Sequence, residues 1–329
     1  MAAEIVLGAA ASHSTLMNTH WDQTEHLAEA TRFRDALAAA ADAIAAARPD
    51  TAIIIGSNHF RGFWLDLIPA FTIGVGECVA SGEAGTPAGL QPVDVELARH
   101  LAGELIEFGF DPAFSARLQI DHGLSHAIQY LLAGLTVPIV PVVINVFAPP
   151  LPPPARCAAL GRAIARAVAS FPGERRVAVI GSGGLSHRLP WPDWRDPRDA
   201  DEEFMVEAWL DGRGNWARYD PRRREIIRSA PSVIAPGFDH AFLRLLEAGD
   251  AAAASRWSTA ELGQMAGNGG QEIRTWLAMS AALGDAPARR LCYEPVPDWL
   301  TGMAVALVEP AASPRPQPAS PSRPGAERS

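Results

Sequence analysis

Nine histidines are spread through the chain, and several stand where a side chain can do chemistry. His13 follows the apolar run EIVLGAAA, His59 comes three residues after TAIIIG, and His187 closes GSGGLSH after VAVI. His122 lies in the turn-like QIDHG, ahead of the apolar stretch SHAIQYLL. A single histidine after a strand is commonly a hydrogen-bonded loop residue; four in such contexts point to a shared site. Neutral imidazole binds iron, zinc, copper or nickel, and it moves protons near neutral pH. Two histidines and a carboxylate with open positions form the pattern of a non-haem Fe(II) site that takes both substrate and oxygen. Two carboxylates are candidates: Glu272, which opens a helix after the flexible GNGG, and Asp121, beside His122. His20, His26, His100 and His240 fall on helical or flanking polar stretches and read as surface residues. His126, one helical turn after His122, reads as packing against the loop.

These residues need elements to carry them. Short apolar runs over 4–11, 51–56, 71–75, 137–146 and 177–180 read as strands. Helical spacing marks 24–47, 93–108, 155–170, 239–247, 259–265 and 272–283. Pro138 and Pro141 favour an edge or strand-start position for 137–146. The stretch 191–236, rich in Trp, Arg and Pro, reads as irregular around one helix near 201–210. This alternation predicts an α/β fold: a single compact domain with a central mixed sheet flanked by helices. In such sheets ligands bind outside the carboxyl ends of strands, so histidines leaving three strand ends can converge there. Residues 1–310 are expected to form the catalytic domain. Residues 311–329, with only small, polar, charged and proline side chains, are expected to be a disordered tail.

Composition narrows the function further. The 329 residues are 48% hydrophobic and 20% charged, as in an ordinary globular protein. A net charge of −9 argues against nucleic acid as a partner. Every basic residue is Arg, so Schiff-base chemistry and a P-loop lysine are excluded. Three scattered cysteines suggest neither a disulfide framework nor a structural zinc site. The first residues lack a basic leader and no apolar run is long enough for a membrane span, so a cytoplasmic protein without a membrane partner is expected. VIGSGGLSH has Ser186 at the third glycine position of a dinucleotide fingerprint, and neither GSNHF nor GSGGLS is a nucleophile elbow.

Taken in order, SHS, SNHF with PAFTIGVG, DHG, GSGGLSH and GNGGQEIRTWLA resemble the class III extradiol ring-cleavage dioxygenases. LIPAFTIGVG, QIDHG, IGSGGLSHRLP and YEPVPDWLTG are most similar to its 2,3-dihydroxyphenylpropionate 1,2-dioxygenase type, and the resemblance runs from Glu4 to Gly302. It implies Fe(II) held by His13, His59 and Glu272, with His122 and His187 as acid/base residues. It also implies a small aromatic diol and O₂ as substrates, and a homo-oligomer is expected. His187 would take a proton from the ring hydroxyl, and His122 would act as general acid later in ring opening. Departures lie beside the site, at Leu124 after DHG, at Arg188 after SH, and throughout 191–236. Phe60, Phe63 and Trp64 are candidates for an apolar wall, and Arg188 for pairing with a substrate carboxylate. The competing readings are a zinc or other metal-dependent hydrolase on the same ligands and a non-catalytic metal- or ligand-binding homologue.

Overall fold

The computed structural model describes residues 2–310; the tail expected at 311–329 lies outside the described residues. Nine strands form one sheet: β1 (Glu4–Ala11), β2 (Thr51–Ser57), β3 (Phe71–Ser81), β4 (Ala88–Gln91), β5 (Ala113–Ile120), β6 (Ile139–Ile144), β7 (Arg176–Ser182), β8 (Ala288–Val296) and β9 (Thr301–Val308). Their order is β4-β3-β6-β2-β7-β1-β9-β8, with β5 pairing to β3. The middle four, β6-β2-β7-β1, run parallel. The flanks add antiparallel pairs of β3 with β6 and β4, and of β9 with β1 and β8.

Both faces of this centre are covered, which is why β2 reads TAIIIGS with every residue buried. Alternate side chains serve two cores. Ile53, Ile55, Val177 and Val179 pack with Leu101, Ile164 and Trp276 from the helices Val95–Glu107, Pro154–Ala169 and Ile273–Ala282. Ala52, Ile54, Ala178 and Ile180 pack with Phe33, Leu37 and Ile44 from the helix Leu27–Ala47. Each fully buried Ile or Leu contributes roughly 1.5–3 kcal/mol. A one-residue slip in β2 would exchange these two sets. The helix Leu27–Ala47 stops at Arg48, which takes the left-handed conformation common at helix C-termini, its N–H returning to the Ala45 carbonyl, and Pro49 follows where the helix cannot continue.

The structure corrects three expectations. β6 is an interior strand, not an edge. Pro141 falls where pairing passes from β3, which reaches Val142, to the segment whose Pro92 carbonyl accepts from Ile139, so no ladder bond is asked of its missing N–H. The stretch 191–236 holds a second helix, Trp216–Ser229, which the sequence hides behind an internal Pro221 and a run of arginines. Strands β4, β5, β8 and β9 were also unforeseen; β4, β5 and β8 lie toward the sheet margins and lack a clean apolar run. Among the described residues, no helix is long and apolar enough to cross a membrane.

Candidate metal centre

β2, β7 and β1 are parallel neighbours, so their carboxyl ends share one edge of the sheet. His13 and His59 each lie two residues past a strand end, and His187 follows β7 through the turn Gly183-Gly184. Glu272 reaches the same edge from the single turn Gly269–Glu272, ahead of the helix Ile273–Ala282. Glycine is needed for that approach, since a Cβ on Gly183 would come within 2.8 Å of the Glu272 Cβ. The Glu272 carboxylate accepts from the Ser57 hydroxyl at 2.5 Å and from the Gly184 N–H at 2.7 Å. Its Oε1 stands 3.2 Å from His13 Nε2 and 3.5 Å from His59 Nε2; Oε2 is 3.9 Å from His187 Nε2. All four residues are buried, Glu272 to 1% exposure, so it is not the accessible helix start that its sequence context suggests.

Behind the rings, every Nδ1 is engaged. His13 Nδ1 is 2.9 Å from Ser182 Oγ, and His59 Nδ1 is 3.1 Å from Asp121 Oδ1. His122 Nδ1 is 2.7 Å from Glu83 Oε1, and His187 Nδ1 is 2.9 Å from the Leu185 carbonyl. Carboxylate and carbonyl acceptors require a donor, which fixes the neutral tautomer with Nε2 bare in three of these rings. Asp121, the competing carboxylate, is spent on this support: it also accepts from the backbone N–H of His59 and of Gly123.

The donors fit a divalent metal. His13 Nε2 is buried without a hydrogen-bond partner, although Glu272 Oε1 is close. Separations of 3.2 and 3.5 Å match adjacent ligands that each lie about 2.0–2.2 Å from one ion. His122 offers an alternative third donor, since its ring nitrogen lies within 4.8 Å of those of His13 and His59. Its ring packs against His59 with centroids 3.8 Å apart. Without a metal, burial opposes charge on each group. Asp121 and Glu272 nevertheless raise His59 to about 9, and His13 and His59 hold Glu272 well below the usual carboxylate range. Burial and the neighbouring His59 push His122 down to about 4.

The cavity in front of these groups is lined by apolar Leu16, Trp191, Ile227 and Trp299, and by Arg61 and Arg223. Of the expected wall residues, Phe60 stacks on Trp209 at 4.2 Å and Trp64 packs edge-on against Trp216. Neither lines the cavity, and Phe63 packs against the core instead. Arg188 is exposed and also off the cavity, because successive residues of the turn after His187 point different ways. His20, read as a surface residue, lies on the cavity rim. His126 is buried 5.9 Å from His13 with both ring nitrogens unpartnered. The Arg223 wall comes from the unforeseen helix Trp216–Ser229; its arginine run was the visible signal.

Comparison with known proteins gives a consistent neighbourhood. Residues 7–304 match the family described as the catalytic LigB subunit of aromatic ring-opening dioxygenase. A 2,3-dihydroxyphenylpropionate/2,3-dihydroxicinnamic acid 1,2-dioxygenase from Rhodococcus sp is 34% identical over 314 residues, covering 90% of this chain and 96% of that protein. The enzyme of the same name from Escherichia coli O139:H28 is 35% identical over 282 residues, covering 81% of this chain and 87% of its own.

Proposed function

The chain belongs to the LigB family of aromatic ring-opening dioxygenases, and from that premise we propose that it is an Fe(II)-dependent enzyme that cleaves a catechol beside its diol, using O₂. His13, His59 and Glu272 are assigned as the ligands. The observation that carries this reading is the orphaned Nε2 of His13, aimed with His59 at one carboxylate oxygen of Glu272. Fe(II) in that position supplies chelation of both diol oxygens and activation of O₂.

The remaining residues handle protons and position. His187, with Nδ1 donating to the Leu185 carbonyl, presents a bare Nε2 that accepts a proton from one ring hydroxyl. His122 likewise begins as an acceptor, because Glu83 fixes the same tautomer. It becomes a general acid only after taking a proton itself, and the Glu83 carboxylate behind it then stabilises the imidazolium. Two acceptors thus match the two hydroxyls of a diol. Trp191 and Leu16 give the ring an apolar surface and exclude water from it.

The test is anaerobic reconstitution with Fe(II), followed by a panel of catechols in air. Formation of a yellow ring-opened product with iron and not with zinc is expected. Hydrolytic activity with zinc, or no ring opening with any catechol, would overturn the proposal.

A further inference from the structure

The helix Trp216–Ser229 lays Arg223, Arg224 and Arg228 along the cavity, and Arg61 joins them from the loop after His59. Two carboxylates lie among these four cations. Glu83 is occupied by His122 Nδ1 at 2.7 Å and Arg61 Nε at 3.0 Å. Asp220 accepts from Arg224 Nε at 2.6 Å through Oδ2. Its Oδ1 lies 3.7 Å from Arg223 and 3.8 Å from Arg61, and it accepts a hydrogen bond from neither. Four arginines face Glu83 and Asp220 here, and even with Glu272, which lines the same cavity, the balance stays positive in a chain of net charge −9.

Arg223 carries the unresolved part of this imbalance. It is only 7% exposed, lines the cavity, and has a buried Nε without a hydrogen-bond partner. A guanidinium carries five donors, and among the described residues Arg223 has only Asp220 Oδ1 at 3.7 Å and the face of Trp216 at 4.9 Å beside it, which leaves donor capacity for an anion that enters the cavity. Burial and the Arg61 charge beside it lower its pKa to about 9, as expected of a cation lacking a full counterion. Ile227 lies on the same helix and Leu16 and Trp191 on the same cavity, giving the anion's hydrocarbon connection an apolar path.

We propose that Arg223 is the centre of an anion subsite that receives a carboxylate on the side chain of the catechol and sets specificity for acidic substrates. Planar guanidinium suits a carboxylate because two parallel N–H groups can meet its two oxygens. The inference rests on the reading of the cavity as a catechol site, and it gives Arg223 the role that sequence alone suggested for Arg188.

The test compares 3-(2,3-dihydroxyphenyl)propionate with uncharged 3-propylcatechol on the iron-loaded enzyme. Arg223→Gln should raise KM for the acid by about 30- to 100-fold and change kcat/KM for 3-propylcatechol by less than about threefold. Arg223→Lys, which keeps the charge and loses the fork, should fall between. A second readout needs neither iron nor turnover: 3-phenylpropionate should raise the Tm of the metal-free wild type and of Arg223→Lys, and leave Arg223→Gln unmoved. Equal losses on both catechols, or an unchanged KM for the acid, would overturn the subsite; so would 3-phenylpropionate stabilising Arg223→Gln as it does the wild type. If Arg223→Gln does not fold, Arg223→Lys decides: a KM for the acid equal to wild type overturns the subsite, and a selective rise supports it. Failure of the wild type to open either ring overturns the catechol reading itself, while the Tm arm still reports on the anion.

Discussion

Asp121 holds His59 at two points: Oδ2 accepts its backbone N–H at 2.5 Å and Oδ1 faces its ring Nδ1 at 3.1 Å. One buried carboxylate therefore sets both the position of the loop after β2 and the rotation of the imidazole. Asp121→Asn loses one of these two acceptor oxygens. Iron affinity should fall about 10- to 100-fold, the usual cost of removing a group that orients a ligand. Competition with a chelator measures it. Unchanged affinity would mean that His59 needs no such support.

The third ligand is decided by a pair of variants. Glu272→Gln keeps the volume of a fully buried side chain and removes its charge, and iron content should drop below about a tenth of one per chain. His122→Gln should keep its iron. The reverse result, read by metal analysis, would establish a three-histidine set of His13, His59 and His122.

Loss of either proton-handling ring should cripple turnover without emptying the site. His122→Gln and His187→Gln are each expected to lower kcat by about 10² to 10⁴. Glu83→Gln should act through His122, altering the pH profile of kcat more than KM, because its carboxylate bonds both Nδ1 and the backbone N–H of that residue. A flat comparison with wild type would remove Glu83 from the mechanism.

Gly269 offers an independent probe of His187. A Cβ there would sit 2.1 Å from the ring's Nε2, so the imidazole must move. Gly269→Ala should retain iron and lose turnover as severely as His187→Gln. Wild-type kcat in that variant would show that the ring's position is not critical.

Arg188, exposed and off the cavity, should be neutral. Arg188→Ala is expected to leave KM for acidic catechols within about twofold and stability within about 0.5 kcal/mol. A selective KM increase would bring the residue back into the site.

The parallel heart of the fold was legible because a buried strand must be apolar on both faces, and EIVLGAAA, TAIIIG and VAVI are. The histidines at their ends followed from the rule that ligands sit outside carboxyl ends of strands. The supports behind them were not legible. Nothing local marks Ser182 as the neighbour of His13 or Glu83 as the neighbour of His122, since those pairs are made by strand order and by a turn with left-handed Gly82 and Ala84. The lining of the cavity was not legible for a related reason. Phe60 and Trp64 are close to His59 in sequence, but the chain turns them into the core, while a distant helix brings Arg223 and Ile227 to the cavity.

The place of β1 bears on how the site is assembled. Strand β1 lies between β7 and β9, the latter formed by Thr301–Val308, far from it along the chain. His13 therefore sits at the edge of a sheet that is complete only once β9 has paired, and Glu272 joins it from an equally distant part of the sequence. Contacts so distant along the chain are slow to close. The donors of the proposed metal centre are thus brought together by the last long-range contacts of the sheet to close, not by any one stretch of chain.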